Sequence, residues 1–157
     1  MLLLFGCSAD ASDGGSDTSA DAAGDFCADQ CIVTGRCEVS DGECIAVDPA
    51  DCRAATQCVF NGNCELVGTG CLPTSDQDCS ESQNCKKFGS CGLAGDLCVA
   101  RGKDDCLASF WCASEGYCSE SGGKCGVGID ADCAMSDLCT EYGECIAQGG
   151  KCVRPPN

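Results

Sequence analysis

The stretch CSESQNCKKFGSCGLAGDLC, residues 79–98, decides the fold, with Asp78 immediately before it. Five residues separate Cys79 from Cys85, five separate Cys85 from Cys91, and six separate Cys91 from Cys98. Seven more lead to Cys106, where the same spacing begins again, so the period is 27 residues. The pattern occurs at Cys52, Cys58, Cys64 and Cys71. It recurs at Cys106, Cys112, Cys118 and Cys125, and at Cys133, Cys139, Cys145 and Cys152. The first copy, Cys27, Cys31, Cys37 and Cys44, is shorter by two residues between its first two cysteines. Self-similarity at a fixed period of this size marks a repeat architecture, in which a terminal copy is often atypical.

Five copies of four account for 20 of the 21 cysteines, and Cys7 is the remainder. An even number per short, loop-rich unit reads as a disulfide framework. Zinc sites bring ligands together through a short knuckle of two to four residues. Only Cys27 and Cys31 are spaced that way, and the chain has no histidine to complete a mixed site. Thiolate metal binding is therefore the alternative to a disulfide framework. A 27-residue unit is also well below the roughly 40 residues that usually fold without staples or partners.

Glycine stands four residues after each second cysteine, at Gly35, Gly62, Gly89, Gly116 and Gly143. This is the helix-ending position at which a positive φ favours glycine. Asp51, Asp78, Asp105 and Asp132 precede the first cysteines, where a carboxylate suits a helix's first turn. Asp48 before Pro49, and Ser75 three residues before Asp78, read as helix starts. These signals predict helices over 49–60, 76–88, 103–115 and 130–142, with a shorter one over 26–34. Between the third and fourth cysteines lie Gly42, Gly68, Gly95, Gly122–Gly123 and Gly149–Gly150, which predict tight hairpins. The expected fold is thus a small disulfide-rich α+β repeat: five tandem helix–turn–hairpin units, 27–51, 52–78, 79–105, 106–132 and 133–157, forming a rod or superhelix. Ile45, Leu72, Val99 and Val153 are expected to pack on the next helix. Phe60, Phe88 and Tyr142 are expected to form small cores under each turn.

On one continuous helix, the first and second cysteines would lie roughly 9 Å apart. That exceeds the limit of about 7 Å between bridged Cα atoms. Each cysteine must then cross to the hairpin. Two crossings remain open: first-to-third with second-to-fourth, or first-to-fourth with second-to-third.

Residues 1–7 read MLLLFGC. Leu4-Phe5-Gly6-Cys7 resembles the lipobox of bacterial lipoproteins. The resemblance implies a truncated signal peptide over 1–6 and a lipid such as palmitate on Cys7. Residues 8–26, rich in Asp, Ser, Ala and Gly, cannot bury a core and read as a disordered tether. About 18 such residues would span a root-mean-square distance of roughly 25 Å. The D-C-x5-C-x3-G-x-C spacing together with the lipobox resembles the cysteine-rich tandem-repeat lipoproteins of myxobacteria and related groups. That resemblance implies a signal-directed, secreted protein held at the cell outer membrane through Cys7.

Five of the 25 acidic residues fall within 8–26. Residues 27–157 therefore carry 20 against nine Lys and Arg, a net charge of −11. Such a surface disfavours nucleic acid as a partner. The absence of histidine removes Ser-His and Cys-His catalysis, and no enzyme activity or cofactor is expected. Asp76 with Asp78, and Asp130 with Asp132, lack the 12-residue loop and terminal Glu of a calcium site and read as helix caps. Phe110 and Trp111 stand where the other full-length units carry Thr56-Gln57, Gln83-Asn84 and Asp137-Leu138. They are a candidate partner contact, with packing on an adjacent repeat as the competing reading. The expected function is a lipid-anchored envelope module for display, adhesion or protein or glycan binding. The alternative is periplasmic metal sequestration by thiolates.

Overall fold

The computed structural model describes residues 27–156. Cys7, the lipobox and the segment 8–26 lie outside them. Five units follow one another, each made of helix, glycine turn and two-stranded hairpin. The first contains α1 (27–34), β1 (Glu38–Ser40) and β2 (Glu43–Ile45). The second contains α2 (Pro49–Ala54), α3 (Thr56–Asn61), β3 (Glu65–Val67) and β4 (Gly70–Leu72). The third contains α4 (Asp76–Glu81), α5 (Gln83–Phe88), β5 (Gly92–Ala94) and β6 (Leu97–Val99). The fourth contains α6 (Lys103–Leu107), α7 (Phe110–Glu115), β7 (Ser119–Ser121) and β8 (Lys124–Gly126). The fifth contains α8 (Asp130–Ala134), α9 (Asp137–Tyr142), β9 (Ile146–Gln148) and β10 (Lys151–Val153).

The four long helices expected over 49–60, 76–88, 103–115 and 130–142 are each broken in two. Ala55, Ser82, Ser109 and Ser136, all three residues after a first cysteine, adopt extended ψ angles of 147°, 157°, 150° and 161°. They are buried. Ser82 Oγ accepts a hydrogen bond from the Cys85 N–H at 3.1 Å, and Ser109 Oγ accepts one from the Cys112 N–H at 3.2 Å. These serines restart the helix as N-caps by satisfying one of its orphan donors. The first unit lacks the two extra residues, and its helix runs unbroken over 27–34.

Ten disulfides join first to fourth and second to third cysteine in every unit. Between the two crossings left open by sequence, the nested one is adopted. The long bridge, such as Cys79–Cys98 with Cα atoms 5.3 Å apart, pins the first helix to the middle of the hairpin's second strand. The short bridge, such as Cys85–Cys91 at 4.5 Å, closes over the glycine turn. Gly35, Gly62, Gly89, Gly116 and Gly143 all have φ between 71° and 80°, as their position predicts. The hairpins turn through two residues. Asp41–Gly42, Gly122–Gly123 and Gly149–Gly150 have positive φ at both central positions, the geometry that matches strand twist.

Successive units stack through their second helices, α3 against α5, α5 against α7 and α7 against α9. The long bridge of one unit sits on the turn glycine of the unit before. A Cβ built on Gly89 would lie 2.6 Å from Cys125 Sγ and 2.7 Å from Asp105 O. Two backbone bonds also strap units together: Ala46 N–H to Thr69 O at 3.0 Å and Ala100 N–H to Gly123 O at 2.9 Å. Pro73 takes the equivalent place in the second unit and has no N–H to give.

The buried apolar residues are cystines and alanines: Cys52, Cys79, Cys106 and Cys133 are fully buried, with Ala46, Ala55 and Ala100 beside them. The expected aromatic cores under the turns are not formed, since Phe60, Phe88 and Tyr142 are exposed. Ile45, Leu72, Val99 and Val153 are half-buried. Val99 faces the next unit's hairpin turn, because a Cβ on Gly123 would lie 3.3 Å from it.

Candidate functional site

Within each second helix, the residue before the second cysteine and the residue before the turn glycine are four apart and share one face. In α5 these are Asn84 and Phe88, and in α7 they are Trp111 and Glu115. Stacking α5 on α7 brings Phe88 from the end of one helix to Trp111 at the start of the next. Their ring centroids are 4.9 Å apart at 57°. Tyr117, just past the turn glycine, covers Trp111 from the other side at 5.3 Å and 58°. Both are tilted arrangements that aromatic quadrupoles favour. Ser90 and Lys124 complete a groove of about 280 Å³.

The two sequence candidates therefore separate. Trp111 is half-buried and packs on the adjacent unit. Phe110 is 64% exposed and takes no part in the groove. Sequence reasoning missed Tyr117, which stands alone among its equivalents Arg36, Asn63, Ser90 and Glu144. A comparison of that column between units would have found it.

Equivalent grooves lie at the neighbouring junctions. Between the second and third units, Asn61, Asn63, Asn84 and Leu97 line a groove of about 270 Å³. There Asn84 Nδ2 donates to Asn61 Oδ1 at 2.7 Å, and Asn63 Nδ2 donates to Gln57 Oε1 at 3.0 Å. Between the fourth and fifth units, Glu115, Tyr117, Leu138, Glu144 and Lys151 line one of about 300 Å³. A larger cleft of about 440 Å³ includes Arg53, Glu65, Glu81 and Lys86. Arg53 and Glu65 already form an exposed ion pair across it at 3.0 Å.

The carboxylates weighed for calcium are engaged in the scaffold. Asp76 accepts from the Leu93 N–H at 2.9 Å and from Arg101 Nη1 at 2.7 Å. The Leu93 bond first, then Arg101, hold its carboxyl below the usual range. Asp130 likewise accepts from the Ala147 N–H at 2.8 Å, so each ties its helix to its own hairpin. Asp78 folds back to accept from the Thr74 and Ser75 N–H groups at 2.8 and 3.0 Å. Asp132 does the same with Gly128 and Ile129, at 2.8 and 3.1 Å, and also accepts from Ser119 Oγ at 2.6 Å. Burial pushes the Asp132 carboxyl up, but the bonds from Ser119, Gly128 and Ile129 and the charge of Lys103 outweigh it, so the net shift is downward. Among the described residues, no cluster of three or more Cys, Asp or Glu is arranged to hold a metal ion.

Twenty cysteines are paired in the ten disulfides. That pairing is the mark of an oxidising compartment, extracellular or in the cell envelope. No helix among the described residues is long and apolar enough to cross a membrane. No protein family, curated protein or solved structure matches the chain.

Proposed function

We propose that this chain is a non-enzymatic binding module of a bacterial cell envelope, anchored at the outer membrane by lipid on Cys7 and reaching outward through residues 8–26. One observation carries the binding part of the reading. A half-exposed groove that brings three aromatic rings together sits at one junction of a covalently braced array, where the equivalent junctions carry mixed linings with more polar or charged side chains. Repeat arrays use such continuous surfaces to hold partners. The lipobox-like Leu4-Phe5-Gly6-Cys7 and the odd cysteine support the anchor. Metal sequestration is the weaker reading, because a sulfur in a disulfide is not a thiolate and cannot grip a soft metal.

The anchor is tested by growing an expressing bacterium with labelled palmitate. The label should enter the protein and vanish in Cys7→Ser; an unlabelled wild-type chain refutes the anchor. The binding role is tested with the oxidised full chain and envelope fragments of the same cells. Saturable adhesion that drops in Trp111→Ala is expected. No adhesion by the wild type removes the role.

A further inference from the structure

We infer that the face bearing the junction grooves binds an uncharged polysaccharide, with one pyranose ring seated against Trp111 and Tyr117. This deepens the binding-module reading and rests on it. The first support is periodicity. Helix α5 supplies Asn84 to the groove between the second and third units and Phe88 to the next groove along. Tyr117 walls both its own groove and the one between the fourth and fifth units. Three grooves thus follow one another on one face, one per 27-residue step. A row of similar sites suits a polymer of similar units better than a compact partner.

The second support is chemistry. A pyranose has an apolar C–H face and a rim of hydroxyls that both donate and accept. The aromatic groove offers ring surface for the face, as small-molecule sites commonly do. Its neighbours offer the rim's partners: amides at Asn61, Asn63 and Asn84 on one side, and Glu144 with Lys151 on the other. The Asn84–Asn61 bond orients both amides before any ligand arrives, which lowers the entropy lost on binding. A groove of about 280 Å³ is at the small end of ligand sites and holds one ring rather than several. Useful affinity must then come from several grooves acting on one strand.

The third support is charge. Residues 27–157 carry net −11, which repels polyanions. Lys124 in the aromatic groove works against a cationic ligand there. An extended peptide would add to a sheet edge, but the strands here have only three residues each.

The test uses the chain's single tryptophan, which sits in the groove and reports on it directly. Emission of the oxidised full-length protein is titrated with cellohexaose, hexa-N-acetylchitohexaose, their monosaccharides and a hyaluronan hexamer. At least one neutral hexaose should shift the emission saturably, and its monosaccharide should bind on the order of a hundredfold more weakly. The shift should be lost in Tyr117→Ala, survive in Phe110→Ala, and weaken in Asn84→Ala for the hexaose but not for the monosaccharide. Near-ultraviolet circular dichroism checks that each variant keeps its fold. Flat titrations with both neutral hexaoses overturn the inference, as does an equal response to hyaluronan. Unchanged binding in a folded Tyr117→Ala protein does so too. If the wild type still adheres to envelope fragments while the sugar titrations are flat, the glycan assignment falls alone. If adhesion is also absent, both readings fall.

Discussion

Gly89 and Gly143 hold the same place in their units and the same left-handed backbone, with φ of 75° and 71°. They differ in surroundings. A Cβ on Gly89 would meet Cys125 Sγ at 2.6 Å, whereas one on Gly143 meets nothing within 4 Å. Gly143→Ala should therefore cost only the backbone strain, about 1–2 kcal/mol. Gly89→Ala should add overpacking of about 1–3 kcal/mol. Urea denaturation of the oxidised variants checks this, and equal losses would show that the bridge does not press on the turn. Asp132 gives a second test. Its folded pKa is depressed, so its contribution is present above the unfolded value of about 3.9 and is lost as pH falls through the folded value. Urea midpoints measured from pH 6 to pH 2 should fall more steeply for wild type than for Asp132→Asn; parallel curves would contradict the assignment. The turn glycines were legible because their spacing is fixed to the cysteines. The buried hydrogen bonding of Asp132 was not, since one of its donors is Ser119, which the fold brings from β7, 13 residues upstream.

At the scale of elements, the helix interruption escaped the pattern because neither proline nor glycine marks it. Ser82, Ser109 and Ser136 supplied a weaker sign, a capping residue three positions before a cysteine. Ala55 occupies that place in the second unit, fully buried and with no side-chain cap. Ala55→Ser should stabilise the protein by about 0.5–1 kcal/mol, and Ser82→Ala should destabilise it by about 1 kcal/mol. Thermal melts of both variants decide this; a lower melting temperature for Ala55→Ser would refute the capping account. The interruption also explains why the distance estimate for a continuous helix reached a correct exclusion from a wrong premise. First and second cysteines do not pair, yet they lie on separate helices in all units but the first. The hairpins were legible in full, because two-residue turns announce themselves through glycine. The aromatic groove was half legible. Trp111 stood out within its own column, whereas its partners Phe88 and Tyr117 come from another unit and from beyond the turn.

For the molecule as a whole, the 27-residue period was enough to specify the architecture, and the nested pairing needed coordinates. With cystine and alanine in place of large buried side chains, stability should depend on oxidation. Intact mass of the oxidised chain should be about 20 Da below that of the reduced chain, two hydrogens for each of the ten bridges. Reduction and capping of the thiols should abolish the helical circular dichroism signal. A reduced chain that keeps its signal and melting point would mean that the units fold without their bridges.

The long bridge has a mechanical consequence. It makes a covalent short cut across each unit, so load pulled along the molecule runs through Cys71, the seven-residue link that takes eight Cα steps to Cys79, and the bridge to Cys98. Fully drawn out, each unit can lengthen to only about 33 Å, against roughly 95 Å for 27 unbridged residues. An array braced this way can be drawn out only about a third as far as an unbridged chain of the same length before a covalent bond must break.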